Sequence, residues 1–442
     1  MDEKEKQSES PLLRNLSFAV LFLAGIVSLW QRAEHQPPAD SVERFRAQQM
    51  EFFFKLQVSY AILPEIAAQY SQDPEEVRKN SIDSIEQICD APTSSSSRDH
   101  AQCAVLLAHL GADYEKYTVR AGVLQDEFQT LYVNKTPLGP EAGLFQTPVG
   151  DLVRLKQYQV QGKTEPAQEL REKLHRQAGE SYGLQILFVF GMLGVLTMGF
   201  IFVIAAIRKK PVQQFGIALL SLPAADFRVL LEGTILAFFG IAALLPILGG
   251  FVPADFRIYA MVLGHFLLLL GILYYVMRQS APDTLGKIFG DWQYRPMHQL
   301  FIGFLGWCAI VPAGILSAVA MMQQSASDPV EQAHPIAFIL QDHFVMAFIL
   351  AVVLAPIMEE IVFRGFLYGY LRRNFSILAA APMTGIVFAI LHPQGLVALP
   401  YLFMLGTGLC LLREYNRSLI PAIFAHMVTN GLVMLLSYTM MG

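Results

Sequence analysis

The chain has 442 residues, of which 54% are hydrophobic and only 16% charged, with a formal net charge of −5. Its mean hydropathy is +0.41, whereas ordinary soluble domains carry about 25% charged residues. This composition excludes a wholly water-soluble protein, and the mild acidic balance gives no basic footprint for nucleic acid.

The charge deficit is uneven. Residues 31–182 read as soluble protein, and most of 183–442 is long apolar runs with short polar breaks. Runs near the bilayer length of about 20 residues fall at 13–30, 184–207, 229–250, 257–277, 299–322, 343–363, 375–392, 396–412 and 418–440. The expected fold is therefore all-α: a polytopic transmembrane helical bundle of about nine spans with an extracytoplasmic, mainly helical insert. Four regions follow: a membrane anchor at 1–30, a soluble domain at 31–182, spans two to four with cytoplasmic loops at 183–298, and a carboxy-terminal core at 299–442.

Lys4, Lys6 and Arg14 precede the first run, and no small-residue cleavage site follows it, which reads as a retained anchor. Arg208–Lys210, Arg278, Lys287, Arg295, Arg372, Arg373, Arg413 and Arg417 fall on alternate breaks. The positive-inside rule then places the amino terminus in the cytoplasm and 31–182 outside, in a multi-pass protein of a bacterial type of cell membrane.

Within the insert, 40–62, 73–89 and 166–182 show helical apolar spacing. Asp73-Pro74-Glu75-Glu76 has the form of a helix start. Thr93–Ser97 and the Pro- and Gly-bearing stretch 136–150 read as loops. Cys89 and Cys103 bracket a short segment, while Cys308 and Cys410 lie singly in apolar runs. In an oxidising compartment the first pair would form a disulfide, stabilising by roughly 3 kcal/mol; two unpaired thiols beside a Ser run is the competing reading. The insert shows no metal-ligand spacing and no phosphate loop.

The run 343–363 continues into Glu359, Glu360 and Arg364. On insertion scales a charge at mid-membrane costs roughly 2.5–3.5 kcal/mol, so three charges within six residues need a reason. Glu360 and Arg364 share a helix face at i,i+4 and can neutralise each other. Glu359 points elsewhere. His392, one turn after Phe388, and His426, one turn before Asn430, are polar groups in apolar surroundings on two later spans. A buried carboxylate can act as general base toward water, an imidazole can orient that water or ligate a metal, and amide or imidazole N–H groups can stabilise an oxyanion. Counting rise per residue from the arginine pairs, however, puts the three helices' polar groups at depths of about 20, 28 and 14 Å, which straight upright helices would not bring together.

These three patterns, EExxxR at Glu359, Glu360 and Arg364, FxxxH at Phe388 and His392, and HxxxN at His426 and Asn430, resemble those of the CPBP family. That family comprises intramembrane CAAX proteases and bacteriocin-processing (Abi) enzymes. The resemblance covers roughly 299–440. It implies a glutamate-dependent intramembrane endopeptidase acting on a peptide or membrane-protein segment within the lipid bilayer, prenylated CAAX ends being one substrate class. It also implies a catalytic set of Glu359, Glu360, His392, His426 and Asn430, supported by Arg364 and Phe388. Glu359 and His392 would activate water, and His426 and Asn430 would hold the oxyanion. Glu359, His392 and His426 are the candidate ligands of a divalent metal such as zinc, although the HExxH pattern is absent. Two other classes compete: a proton-coupled transporter using the Glu–Arg–His cluster, for which 184–322 offers no counterpart constellation, and a non-catalytic receptor or scaffold.

Overall fold

The computed structural model describes residues 73–90, 96–209, 222–290, 295–322, 343–392 and 398–441, together with isolated positions between 19 and 65. The described residues form an all-α protein with no strands, in two compact units divided between Leu193 and Gly194.

In the first unit, α1 (Pro74–Cys89) starts where the sequence signals it: Asp73 Oδ1 accepts from the Glu75 N–H at 3.0 Å. The helix α2 (Ser97–His109) is closed by a capping box in which Ser96 and Asp99 satisfy each other's backbone N–H groups. The loop expected at 93–97 therefore ends in a helix start, and its residues 93–95 lie outside the described set. Cys89 and Cys103 are joined by a disulfide, tying the last residue of α1 to the middle of α2. Leu106 and Leu107 of α2 pack with Tyr117, Phe128 and Leu131 and with Leu152 and Leu155 of α3 (Gly150–Val160) in one apolar core.

The helix α4 (Thr164–Lys209) runs without interruption for 46 residues. The change of composition near 182, expected to be a domain boundary, thus lies inside a helix, whose polar and apolar stretches share one unbroken backbone hydrogen-bond ladder.

One polar cluster in this unit responds to pH. Glu65 meets His109 at 3.1 Å, His175 of α4 at 2.9 Å and Arg171 at 3.5 Å. Burial opposes its charge, but the bonds to His109 and His175 and the field of Arg171 outweigh it and hold the carboxyl at about 2 instead of 4.5. A depressed carboxyl pKa stabilises fully above the ordinary value, so this contribution is complete above pH 4.5 and vanishes as pH falls through about 2. Glu65→Gln is expected to lower the thermal midpoint of the full chain at pH 7 and to have a shrinking effect toward pH 3. Equal effects at both pH values would contradict this.

Among the described residues four helices are long and apolar enough to cross a membrane: Ile186–Arg208 within α4, α5 (Ala224–Gly250), α6 (Arg257–Gln279) and α8 (Phe344–Leu371). Three shorter apolar stretches follow the same pattern: Pro296–Pro312, which opens α7 (Pro296–Met322), α9 (Ile377–Ile390) and Ile420–Leu435, within α11 (Ile420–Met441). Between the last two lies α10 (Leu399–Asn416). The first expected span, 13–30, falls almost wholly outside the described residues. With these helices the chain is an integral membrane protein.

Two of the arginines used to read topology have buried partners. Arg372 is 3% exposed and ion-paired with Glu414, and Arg413 is 1% exposed and donates to the Ile288 carbonyl. They fasten the ends of α8 and α10 by hydrogen bonding, which makes them weaker markers of topology.

Where α9 and α10 meet, backbones touch through glycine. A Cβ on Gly406 would lie 2.9 Å from the Gly385 Cα, and one on Gly385 would lie 2.3 Å from Thr407 Oγ1. Small residues permit this approach in membrane helix pairs, and the approach seats the Phe388 side chain, fully buried, against Gly406.

Candidate active site

The site is built on α8, and α8 is not a regular α-helix. Residues Ile349–Leu354 and Glu360–Leu367 are π-helical, with i→i−5 bonds such as Ala355 N–H to the Leu350 carbonyl and Tyr368 N–H to the Phe363 carbonyl. Such wide turns recur at functional sites because they re-aim side chains within an otherwise continuous helix. Here they flank a five-residue α-turn, Ala355–Glu359, that ends on the first carboxylate.

Glu360 and Arg364 are both fully buried, and Arg364 Nη1 donates to Glu360 Oε1 at 2.8 Å. The i,i+4 pairing expected from spacing is thus present. Three further contacts were not legible in that spacing. Arg364 Nη2 donates to the Gly406 carbonyl at 3.1 Å, and its guanidinium lies 4.6 Å from the centre of the Phe388 ring. Glu360 Oε1 also meets His426 Nδ1 at 2.8 Å. An ionised carboxylate only accepts, so Nδ1 carries the proton and Nε2 is left to face the site.

His392 is oriented in a similar way. Its Nδ1 is 2.6 Å from the Phe388 carbonyl, which also only accepts, so Nδ1 again bears the hydrogen and the neutral ring presents a lone pair at Nε2. Phe388 stands between the two imidazoles, with ring centroids 4.2 Å from His392 and 5.8 Å from His426, and Phe363 packs edge-on against it.

Both Nε2 atoms converge on Glu359 Oε2, at 3.6 Å for His392 and 3.8 Å for His426. That oxygen is buried and accepts no hydrogen bond. A buried carboxylate oxygen without a close hydrogen bond is costly, and the two imidazole nitrogens stand just beyond direct bonding distance from it. The depth mismatch obtained by counting residues therefore does not survive in three dimensions. The count assumed that every helix starts at one level and stands upright, whereas α9 is only 14 residues long and His392 follows its last turn.

The same three donors were the candidate metal ligands. Tetrahedral zinc geometry implies ligand–ligand separations of about 3.3 Å, and these are wider. Among the described residues no group of three His, Cys, Asp or Glu side chains is arranged to hold a metal.

Asn430 is half-buried on α11, and its Nδ2 donates to the Ala351 carbonyl in the first π-segment at 2.8 Å. Its amide is thus engaged with α8 backbone, which the expectation of an oxyanion donor did not include. Gly406 and Phe363 were missed altogether. The Gly-x-Gly of 406–408 within an apolar run is the signal that could have flagged close helix packing there.

A further Arg–Glu pair lies outside the constellation, on α5. Glu232 is 4% exposed and accepts from Arg228 Nε at 3.0 Å and from the Tyr275 hydroxyl of α6 at 2.7 Å. It joins two helices and has no imidazole among these partners.

Residues 341–432 match the family model described as type II CAAX prenyl endopeptidase Rce1-like, a segment that includes every residue of the three motifs. No curated protein and no solved structure matches the chain.

Proposed function

Starting from a type II CAAX prenyl endopeptidase Rce1-like domain at residues 341–432, we propose that the chain hydrolyses peptide bonds within the membrane with a water molecule activated by Glu359 and His392. The observation that carries this reading is the unpartnered, buried Oε2 of Glu359 with two oriented imidazole nitrogens within 4 Å.

A water molecule bound between these groups hydrogen-bonds to Glu359 Oε2 and to the lone pair of His392 Nε2. As its oxygen attacks the scissile carbonyl carbon, one proton passes to the Glu359 carboxylate. His426, with Nδ1–H held by Glu360 and a second proton on Nε2, donates to the oxyanion that forms. Collapse of the tetrahedral intermediate breaks the C–N bond, and the proton on Glu359 moves to the leaving amine. Glu360, Arg364 and Phe388 touch no reacting atom in this scheme and fix the two imidazoles. Low water content around the site strengthens each of these interactions relative to bulk solvent.

The substrate class is a peptide or membrane-protein segment that reaches α8, α9 and α11 through the bilayer, with carboxy-terminal prenylated CAAX sequences as the first class to test. Full-length protein in proteoliposomes is expected to cleave a fluorogenic peptide with a farnesylated CAAX end or a member of an unprenylated transmembrane-peptide library, with products identified by mass. Prolonged chelation is expected to change turnover by less than about twofold, since the side chains alone supply base and oxyanion donor. Loss of activity restored by zinc would instead make Glu359, His392 and His426 metal ligands.

A further inference from the structure

Pro356 and Asn430 are far apart in sequence, yet they meet at one backbone atom. Ala355 N–H bonds the Leu350 carbonyl in the i→i−5 register, and the next residue in that register would bond the Ala351 carbonyl. The next residue is Pro356, which has no N–H to give. The acceptor freed by proline is the one that Asn430 Nδ2 takes at 2.8 Å. In a bilayer a carbonyl left open by proline must find a donor from a neighbouring helix, and α11 supplies it.

This contact has a consequence for the reacting groups. Pro356 precedes Glu359 by less than one turn on α8, and Asn430 follows His426 by about one turn on α11. A bond between Ala351 and Asn430 therefore fixes the two helices against each other immediately beside the Glu359–His426 approach. We propose that Pro356 and Asn430 form a donor–acceptor lock between α8 and α11 that sets the separation of Glu359 and His426. On this account Asn430 is a positioning residue, acting through His426, and Pro356 is its complement, keeping the Ala351 carbonyl open for it. The inference rests on reading Glu359 and His426 as the reaction centre.

The lock makes a prediction that an oxyanion donor does not. If Asn430 serves by satisfying Ala351, a backbone N–H restored at residue 356 can substitute for its amide. N430A is expected to lower kcat about tenfold or more with little change in KM. The double variant P356A/N430A is expected to regain about fivefold or more of that loss, with the farnesylated CAAX peptide as probe. A double variant as slow as N430A, or slower, would overturn the lock, because an amide lost from an oxyanion site cannot be replaced at residue 356. E359Q in the same assay separates the two claims: if it stays fully active, the assignment of Glu359 as the base fails, whatever the double variant does. Amide hydrogen exchange on the full chain in detergent tests the lock without turnover. Faster exchange across 352–360 in N430A, reversed in P356A/N430A, is the expected result; unchanged exchange in N430A would contradict it.

Discussion

Glu359→Gln is expected to lower kcat about 10³-fold, equivalent to roughly 4 kcal/mol of transition-state stabilisation, with the protein still folded and substrate still bound. Glutamine keeps the size of the side chain and one carbonyl oxygen but cannot take the proton of the attacking water. The geometry makes this residue the sensitive one, because its Oε2 is the atom on which both imidazoles converge and it has no hydrogen bond of its own. Turnover measured by product mass, with KM from the same titration, checks it. A variant within tenfold of the parent would move the base to another residue.

Arg364→Met is expected to act on folding before it acts on rate. The guanidinium is fully buried, bonded to Glu360 and to the Gly406 carbonyl, and seated on Phe388. Removing one partner of a buried pair leaves an uncompensated charge and costs about 3–5 kcal/mol, whereas an exposed pair is worth about 1 kcal/mol or less. The thermal midpoint in detergent should fall by about 10 °C. The double variant E360Q/R364M should recover part of that fall, since no buried charge is then left alone. Equal midpoints for R364M and the parent would mean that the pair does not hold the site.

The sequence made much of the site legible, and for a physical reason. Charges and imidazoles are so costly in apolar spans that Glu359, Glu360, Arg364, His392, His426 and Asn430 stand out by their presence. The Glu360–Arg364 contact follows from helix spacing alone. What stayed hidden are contacts that depend on how helices pass one another. His426 as the second partner of Glu360 joins residues 66 positions apart. The Gly385–Gly406 approach, which places a backbone carbonyl on Arg364, depends on helix crossing. The two π-segments of α8 leave no periodicity mark in a run that is apolar on nearly every side, so the angular offset between Glu359 and Glu360 drawn from a regular helix did not describe their surroundings.

In the first unit the helix start at Asp73 was readable because a short polar side chain before proline has few other uses. At the other end of that unit, α4 carries polar sequence into apolar sequence within one helix. Arg372 and Arg413 are consumed by buried partners, so their position reports packing as much as the side of the membrane.

The account depends on Glu359 and His392, carried by different helices, acting on one water molecule as a single device. The kinetics of E359Q, H392A and the combined variant measure this directly on the purified full chain. Groups that work as a unit lose their function together, so the combined variant should be no slower than the slower single variant by more than about threefold. Losses that multiply, each change costing as much in the presence of the other as alone, would show two independent contributions and contradict a shared water.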